Sequence, residues 1–406
     1  MNTYTCDIAV IGGGGSGLVA ACRAAALGKR VIVLEKDKRL GGGMNMASTM
    51  RTFGSKWQKE RNLPDTTALF LRNRMDETYW RLDRKLAGSM IRGTGEFFDW
   101  FCSIAPQETV DRFTVGRYVF DEEADGPLGP QCGGDGPGKG AGRIFMEVMI
   151  QQLEQLGAVI LTEAVTQNIR MDGAKITGLA AVAGEPIEIQ CESVILACGA
   201  WIRNPEVVQR YFPELAAAQP YMGESPHMSR NYTGDGLKLA QNAGAKMDET
   251  NRTIRMMGPM TMCRSRVMGE MANSAYSIYI NRNGQRYVCE ASQLRMGIFD
   301  SGSVQADQPE GLVYVVFDEN NLRHAIAAGE HQPQPQIAMP FGPSRFPATM
   351  EEAKQDMIPA LEKQDGVLFV ADTLDALAEK IGVPADHLKE TVATYNHAAE
   401  TGMDWD

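Results

Sequence analysis

Residues 8–17 limit the fold more than any other stretch of the chain. Residues 8–11 form a short apolar run typical of a buried parallel strand, and glycines follow at once. Gly12, Gly14 and Gly17 have the spacing of a dinucleotide-binding turn. The first glycine allows a tight turn, the second lets the backbone approach a pyrophosphate, and the third lets a helix pack on the strand.

The residues after these glycines complete a βαβ pattern. Residues 16–27 predict a helix whose free N–H groups and positive dipole end face phosphates. Residues 31–34 predict a second strand, and Glu35 follows at its end, 18 positions after Gly17. A carboxylate there accepts hydrogen bonds from ribose hydroxyls and repels a 2′-phosphate. These features predict dinucleotide binding but do not distinguish a nicotinamide from a flavin cofactor.

Length and composition limit the class of protein. A chain of 406 residues suits two domains, one of which can be discontinuous, and 44% hydrophobic with 22% charged residues is typical of a globular protein. The net charge of −11 argues against a nucleic-acid partner, because phosphate binding needs a basic surface. There is no secretory signal before the first strand and no apolar run near the roughly 18 residues of a membrane span. We therefore expect no membrane insertion and a cytoplasmic location.

Cysteine and histidine spacing does not indicate a metal centre. The eight cysteines include no CxxC, and the five histidines lie far apart. We expect the cysteines to be small apolar residues in a reducing compartment, and we expect no bound metal.

The middle of the chain mixes predicted helices with predicted strands. Two helices are expected within 64–104, a helix over 144–156, buried strands over 157–163 and 194–200, and a meander over 166–191. The glycine-rich residues 125–143 form either a surface loop or backbone packed against the cofactor. Thr233 is the expected N-cap of a helix that ends at Gly244.

From about residue 250 the composition changes. Methionines and arginines crowd residues 252–271, and residues 277–288 predict a hairpin that turns at Asn283 and Gly284. The chain then ends in helices expected over 349–363, 373–381 and 385–400. The methionines suit either the core of a domain or the wall of an apolar substrate site.

These segments together resemble the flavoprotein superfamily of fumarate reductases, succinate dehydrogenase flavoprotein subunits and 3-ketosteroid dehydrogenases. The resemblance covers the chain from Asp7 onward. The motifs that carry it are the glycine turn with Glu35, the glycines at 41–43, Ala-Cys-Gly-Ala at 197–200, Thr-Gly-Asp-Gly at 233–236 with Gly-Ala at 244–245, Ile280 to Tyr287, and Asp372 through Asn396.

The resemblance implies an α/β fold with a Rossmann-like FAD-binding domain, here residues 1–250, and an inserted α+β capping domain, here residues 251–406. It also implies FAD, hydride transfer between flavin N5 and a carbon beside a carbonyl, and a small-molecule substrate. FAD should be bound noncovalently, because the loop after Glu35 lacks the histidine that some members use for covalent attachment.

The resemblance further implies where each part of FAD lies. The pyrophosphate is expected at residues 12–17, the adenosine ribose on Glu35, and the flavin ring near residues 42–45 and 233–236. The expected cofactor ligands are Gly12, Gly14, Gly15, Ser16, Gly17, Glu35, Lys36, Gly42, Gly43, Asn45, Ala47, Val165, Ala197, Gly199, Thr233 and Asp235.

Two departures from the family pattern bear on the substrate. Fumarate reductases carry a His-Pro-Thr segment that binds a carboxylate, whereas residues 254–260 here read Ile-Arg-Met-Met-Gly-Pro-Met. Their proton-donating arginine lies eight residues before the position of Asn281, which is Asn273 here. Neither methionine nor a neutral asparagine can do these jobs. The Met-Gly-Pro sequence is more similar to the steroid dehydrogenase branch, so an apolar substrate that is not a dicarboxylate is expected.

Another residue must then transfer the proton. Tyr276, Tyr279, Arg255, Arg264 and Arg266 are the candidates, and a tyrosine can act when its pKa is tuned. We predict Tyr276 and Arg266 as the catalytic residues. A packed strand tyrosine is the alternative reading of Tyr276.

The extent of the chain and its activity both remain open at this point. Family members continue past the helix that holds Tyr395 into a final segment of the FAD domain, so this sequence is expected to be either truncated or open at the flavin end. The preferred activity is reduction or desaturation of a bond conjugated to a carbonyl, with a separate electron donor or acceptor because no haem or iron–sulfur motif is present. The rivals are a flavin oxidase of an amine or 2-hydroxy acid and an FAD-binding remnant without turnover.

Overall fold

The fold is taken from a computed structural model of the chain. It describes residues 2–47, 52–77, 80, 82–117, 127–131, 140–217, 230–246, 265–271, 277–290, 304–305, 307–329, 347–363 and 368–404.

The strands of the described residues form four sheets. They are β1 Asn2–Thr5, β2 Ile8–Ile11, β3 Val31–Leu34, β4 Thr114–Arg117, β5 Pro127–Gln131, β6 Val159–Leu161, β7 Val165–Asp172, β8 Lys175–Ala183, β9 Glu185–Gln190, β10 Ser193–Leu196, β11 Ile278–Asn281 and β12 Val313–Val316. The strand orders are β10-β2-β3-β6, β1-β9-β8-β7, β11-β12 and β4-β5.

The helices fall between and after these strands. They are α1 Gly15–Ala26, α2 Lys56–Glu60, α3 Thr67–Glu77, α4 Arg84–Ile104, α5 Gln107–Val110, α6 Ala141–Gln155, α7 Pro205–Tyr211, α8 Asp235–Asn242, α9 Arg266–Met271, α10 Glu319–Gly329, α11 Met350–Lys363, α12 Leu374–Ile381 and α13 Ala385–Thr401. Short 3-10 helices lie at Gly42–Met46, Pro213–Leu215 and Pro309–Gly311.

The sheet β10-β2-β3-β6 is parallel and is covered on both faces. Side chains of a strand alternate between faces, so Val10 and Val33 pack with the helices α1, α4 and α6, while Ile11 and Leu34 pack with the meander β7 to β9 and with Leu239 of α8. This double burial explains why β2 and β3 are apolar throughout. The Rossmann-like α/β fold expected from the sequence is confirmed.

The register of this sheet places two candidate site residues side by side. Ile11 pairs with Leu34 across β2 and β3, so the next residues of the two strands, Gly12 and Glu35, leave the sheet at the same edge. In a parallel sheet the carboxyl ends of the strands form the usual ligand crevice.

The later part of the chain has its own apolar clusters. Ile278 and Ile280 of β11 pack with Ile381 and Leu388 of the last helices, and Val267 of α9 packs with α10 and α11. The predicted domain boundary between residues 250 and 251 lies in 247–264, outside the described residues, so the two domains remain a prediction.

Several local expectations need correction. The strand expected to be buried over 157–163 is the edge strand β6, and Val159 is 41% exposed. The strand β10 is the opposite edge, with Leu196 39% exposed. Burial of a strand depends on its place in the sheet order, which its own residues do not reveal. The hairpin expected to turn at Asn283 and Gly284, by contrast, is present. Ile280 bridges to Arg286, and the Asn281 N–H donates to the Gln285 carbonyl oxygen, while β11 also pairs with β12.

Candidate functional site: the carboxyl edge of the parallel sheet

Two of the turn glycines are required by backbone packing. Gly12 has φ +109°, and a Cβ placed on it would lie 2.3 Å from the Ala197 carbonyl oxygen. A Cβ on Gly17 would lie 1.9 Å from the Gly12 carbonyl oxygen. These two residues therefore let α1 and the end of β10 approach β2, as the sequence predicts.

Gly14 differs because the space in front of it is open. The nearest atom to a Cβ on Gly14 would be the Gly41 carbonyl oxygen at 3.9 Å, and a Cβ on Gly42 would face only the Gly14 Cα at 3.6 Å. Gly14 is also the N-cap of α1 and makes no side-chain cap hydrogen bond. The slot between Gly14 and Gly42 thus combines room for a phosphate group with the N–H groups of a helix start.

The 41–47 loop forms the other wall of this slot. Gly41 bridges to Gly14 and donates its N–H to the Gly13 carbonyl oxygen at 2.8 Å. Ala47 accepts a hydrogen bond from the Gly142 N–H at the start of α6. The amide of Asn45 donates to the Leu40 carbonyl oxygen at 2.9 Å, so its nitrogen helps shape the loop. Gly15 packs against Met44 in the same loop, and Ser16 is exposed beside it.

Glu35 is held in place by main-chain donors. Its two carboxylate oxygens accept hydrogen bonds from the N–H groups of Gly13 and Asp37, each at 2.8 Å. A carboxylate has about four lone-pair sites, so these two bonds orient Glu35 and leave acceptor capacity for ribose hydroxyls.

Lys36 and Asp37 tie this end of β3 to residues 230–235. Lys36 Nζ lies 2.6 Å from both Thr233 Oγ1 and Asp235 Oδ2, and Asn231 Nδ2 donates to Asp37 Oδ2 at 2.7 Å. Burial raises the pKa of Asp37, but hydrogen bonds from Asn231 and the Lys38 N–H outweigh it, so the pKa is lowered overall. Asp37 therefore remains ionised at neutral pH.

These contacts place residues 233–236 beside the residues that follow Glu35. Thr233 and Asp235 meet Lys36, which adjoins Glu35, and their expected place near the flavin ring stays a prediction. Thr233 is not the N-cap of α8, since Gly234 with φ +74° takes that place. Val165 begins β7 on the same side, directly after Ala164, whose N–H donates to the Glu35 carbonyl oxygen.

Ala197 and Gly199 follow β10 at the opposite side of Gly12. The Ala197 N–H donates to the Ile11 carbonyl oxygen at 2.8 Å, and Gly199 has φ +79°. Tyr232 reaches between Gly199 and Gly43 and was not predicted from the sequence. A Cβ on Gly43 would lie 2.0 Å from its hydroxyl oxygen. The sequence signal that could have indicated Tyr232 is its position directly before the Thr-Gly-Asp-Gly motif at 233–236.

The side chains of the two predicted catalytic residues lie outside the part of the chain that the structure describes, so their role stays a prediction. Arg266 begins α9, where its main chain is described, and Tyr276 lies outside the described residues. Tyr279 is fully buried in β11, and burial raises its pKa above the ordinary value. This burial fits a core tyrosine better than a proton donor.

Open space at Gly14, a helix start and an oriented carboxylate fit a dinucleotide that carries an adenosine ribose. The sequence matches the family described as FAD binding domain over residues 7–406. The chain belongs to this FAD-binding family. Its cofactor is FAD, and it is an FAD-dependent oxidoreductase.

Members of this family that resemble the chain include reductases and dehydrogenases. It is 25% identical to the vinyl phenol reductase of Lactiplantibacillus plantarum over 98% of this chain and 78% of that protein. It is 24% identical to the NADH:acrylate oxidoreductase of Vibrio harveyi over 98% of this chain but only 42% of that protein. The chain thus spans under half of some of its relatives.

Solved structures show the same fold. The 3-ketosteroid-Δ4-(5α)-dehydrogenase of Rhodococcus jostii aligns with a TM-score of 0.65 at 20% identity, covering 99% of this chain and 79% of that one. The open conformation of a flavocytochrome c3 fumarate reductase aligns with a TM-score of 0.61 at 18% identity, covering 98% and 62%.

The described residues include neither a membrane-spanning helix nor a metal-binding cluster. No helix among them is long and apolar enough to cross a bilayer. No group of histidine, cysteine and acidic side chains in the same part of the chain could hold a metal ion.

Proposed function

We propose that this FAD-dependent oxidoreductase reduces or desaturates a carbon–carbon bond conjugated to a carbonyl in an apolar substrate that is not a dicarboxylate. FAD supplies the hydride chemistry when bound. The protein's part is to orient the substrate, exclude water and hold the proton that the second carbon gains or loses.

One sequence observation carries the choice of substrate. The position of the arginine that donates a proton in fumarate reductases is Asn273, and residues 254–260 replace the segment that binds a carboxylate there. Recognition of two carboxylates needs cationic donors with fixed geometry, which neither Asn273 nor the methionines of this segment supply. Methionines at 256, 257 and 260 offer apolar, adaptable side chains instead.

Relatives named for different substrates are consistent with this proposal. The 3-oxosteroid 1-dehydrogenase of Mycobacterium tuberculosis and the urocanate reductase of Eggerthella lenta are both 24% identical to this chain. Because the chain is equally identical to proteins named for an apolar and for a polar substrate, overall similarity does not indicate the substrate class. The choice therefore depends on the site residues.

The test of this proposal uses reduced holoprotein. Anaerobic, photoreduced protein is mixed with an apolar cyclic enone, with fumarate or with buffer, and flavin absorbance is followed. We expect the enone to reoxidise the flavin at least about tenfold faster than fumarate, because loss of a charge-paired contact costs on the order of 1.4 kcal/mol or more. Equal rates with fumarate would reject the substrate class. Reoxidation by air alone, with neither acceptor active, would favour an oxidase.

We also propose that Tyr276, with Arg266 as the second candidate, transfers the proton. Tyr276 lies three positions from Asn273, so the same segment can present it to the substrate. Tyr276→Phe should lower turnover about 100-fold and remove one limb of the pH profile. Tyr279→Phe is the matched control, because its buried ring belongs to the core. A Tyr276→Phe protein with an unchanged pH profile would exclude this tyrosine.

The remaining parts of the proposal concern partners and location. No haem or iron–sulfur motif occurs in the sequence, so electrons would come from, or go to, a separate donor or acceptor. We further propose that the protein is cytoplasmic.

A further inference from the structure

Tyr232 occupies a position between two walls of the cofactor slot. A Cβ on Gly43 would lie 2.0 Å from the Tyr232 hydroxyl oxygen and 3.4 Å from Cζ, and a Cβ on Gly199 would lie 3.4 Å from ring atom Cε1. The ring therefore spans from the loop that follows Glu35 to the segment that follows β10.

Contacts on both sides fix this position. The Asn231 side chain donates to Asp37, and Thr233 accepts from Lys36, so both neighbours of Tyr232 are tied to the residues after Glu35. The Tyr232 carbonyl oxygen accepts from the Arg203 N–H at 3.0 Å. Its ring also packs against the apolar cluster that contains Ile202, Val208 and Leu215.

The hydroxyl of Tyr232 is a hydrogen-bond donor that the described part of the fold does not use. Among the described residues it makes no hydrogen bond, although the residue is only partly exposed. Burial raises its pKa above the ordinary value, so the phenol keeps its proton at neutral pH. The hydroxyl of a largely buried tyrosine ring usually has a partner, and the Gly43 loop that this hydroxyl meets is a wall of the slot assigned to FAD.

We propose that Tyr232 positions FAD by donating a hydrogen bond to an oxygen of its ADP half. This position of the hydroxyl requires glycine at 43, because any side chain there would occupy the same space. The assignment to the ADP half rests on the placement of the phosphates at Gly14 and of the ribose at Glu35. Lys36 and Asp37, which hold the neighbours of Tyr232, follow Glu35 directly.

The first experiment removes the hydroxyl alone. Tyr232→Phe apoprotein is titrated with FAD by flavin fluorescence and with ADP by calorimetry. We expect both dissociation constants to rise about fivefold, the value of one neutral hydrogen bond. Tyr314→Phe is the matched control, since that hydroxyl donates to the Ile381 carbonyl oxygen far along the chain. Its FAD and ADP affinities should equal those of the unmodified protein.

The second experiment tests the contact with Gly43. Gly43 does not have positive φ, so Gly43→Ala adds a methyl without backbone strain. The methyl collides with the hydroxyl of Tyr232 but not with the ring of Tyr232→Phe, which ends 3.4 Å away. Gly43→Ala alone should weaken FAD binding at least tenfold. The double variant should bind FAD about as well as Tyr232→Phe. Such recovery would also show that alanine at position 43 does not prevent folding.

Each other outcome overturns a stated part of the proposal. Unchanged affinities in Tyr232→Phe would exclude the hydrogen bond, and purely additive losses in the double variant would exclude the Gly43 contact. Weaker FAD binding with unchanged ADP binding would move the contact away from the ADP half. A Gly14→Val protein that keeps its FAD would instead reject the phosphate placement, independently of Tyr232.

Discussion

The turn around Gly14 and the cluster around Arg286 hold distant segments together by different chemistry. At the turn, main-chain atoms of Gly12, Gly17 and Ala197 meet directly, and missing side chains allow the contact. In the cluster, Arg286 is paired with Glu290 and with Asp404, which lies 118 positions later. The first region depends on space and the second on charge.

This difference separates what each region tolerates. A backbone contact fails when any atom is added, but it is insensitive to salt and pH. A buried ion pair fails when one partner is removed, because the other charge then stays desolvated. We therefore expect cofactor binding and the stability of the part that contains Arg286 to respond to different substitutions.

The largest expected effect is on the Arg286 cluster. Arg286 and Glu290 have side chains only 7% and 3% exposed. Arg286→Met keeps most of the volume but leaves Glu290 unpaired, so the free energy of unfolding should fall by about 3 kcal/mol or more in urea titrations. Lys389→Met, which removes an exposed ion pair with Asp375, should change it negligibly. Equal effects of the two variants would show that the buried pair contributes no more to the free energy of unfolding than the exposed pair does.

The second effect is on the glycine turn. Gly14→Val should raise the dissociation constant for FAD at least about 100-fold, equivalent to about 2.7 kcal/mol, because the side chain enters the phosphate slot. The fold should persist, since the nearest atom to the new Cβ is 3.9 Å away. Gly17→Ala is the contrasting variant. Its Cβ would lie 1.9 Å from the Gly12 carbonyl oxygen, so it should lose thermal stability. Circular dichroism and flavin content distinguish the two outcomes.

The smallest effect is the pH response of Asp37. Its folded-state pKa is lowered, so its contribution to stability is fully present above the unfolded value of about 3.9 and is lost as the pH falls through the folded value. The thermal midpoint of the unmodified protein should exceed that of Asp37→Asn at neutral pH, and the two should converge in acid. A constant difference at every pH would show that the carboxylate charge is not involved.

The sequence predicts the first region better than the second for a physical reason. Gly12, Gly17 and Glu35 belong to one short βαβ unit, where each residue's role follows from its spacing to its neighbours. The Lys36 bond to Asp235 joins positions 199 apart, and Arg286 meets Asp404 only after the last helix has packed. Such pairs depend on tertiary folding and leave no periodic trace in the chain.

Two wrong predictions, of strand burial and of a helix cap, show the same limit of local sequence patterns. Apart from Ser193, the residues of β6 and β10 are apolar like those of β2 and β3, yet these strands form the two edges of the sheet. The prediction that Thr233 caps α8 was wrong because Gly234, with φ +74°, takes the N-cap position, and the Thr233 hydroxyl contacts Lys36 and Asp235. The edge positions of β6 and β10 follow from strand pairing between segments distant in sequence, which a local pattern does not show.

The pairing of Ile11 with Leu34 has a consequence for the cofactor itself. Adjacent strands lie about 4.8 Å apart, and each residue advances a strand by about 3.3 Å. The spacing and register of the parallel sheet thus set the distance between the turn at Gly12 to Gly17 and the carboxylate of Glu35. A slip of one residue between β2 and β3 would move Glu35 by that step, away from the Gly13 N–H that orients it. Release of bound flavin would then report a change in the register of β2 and β3.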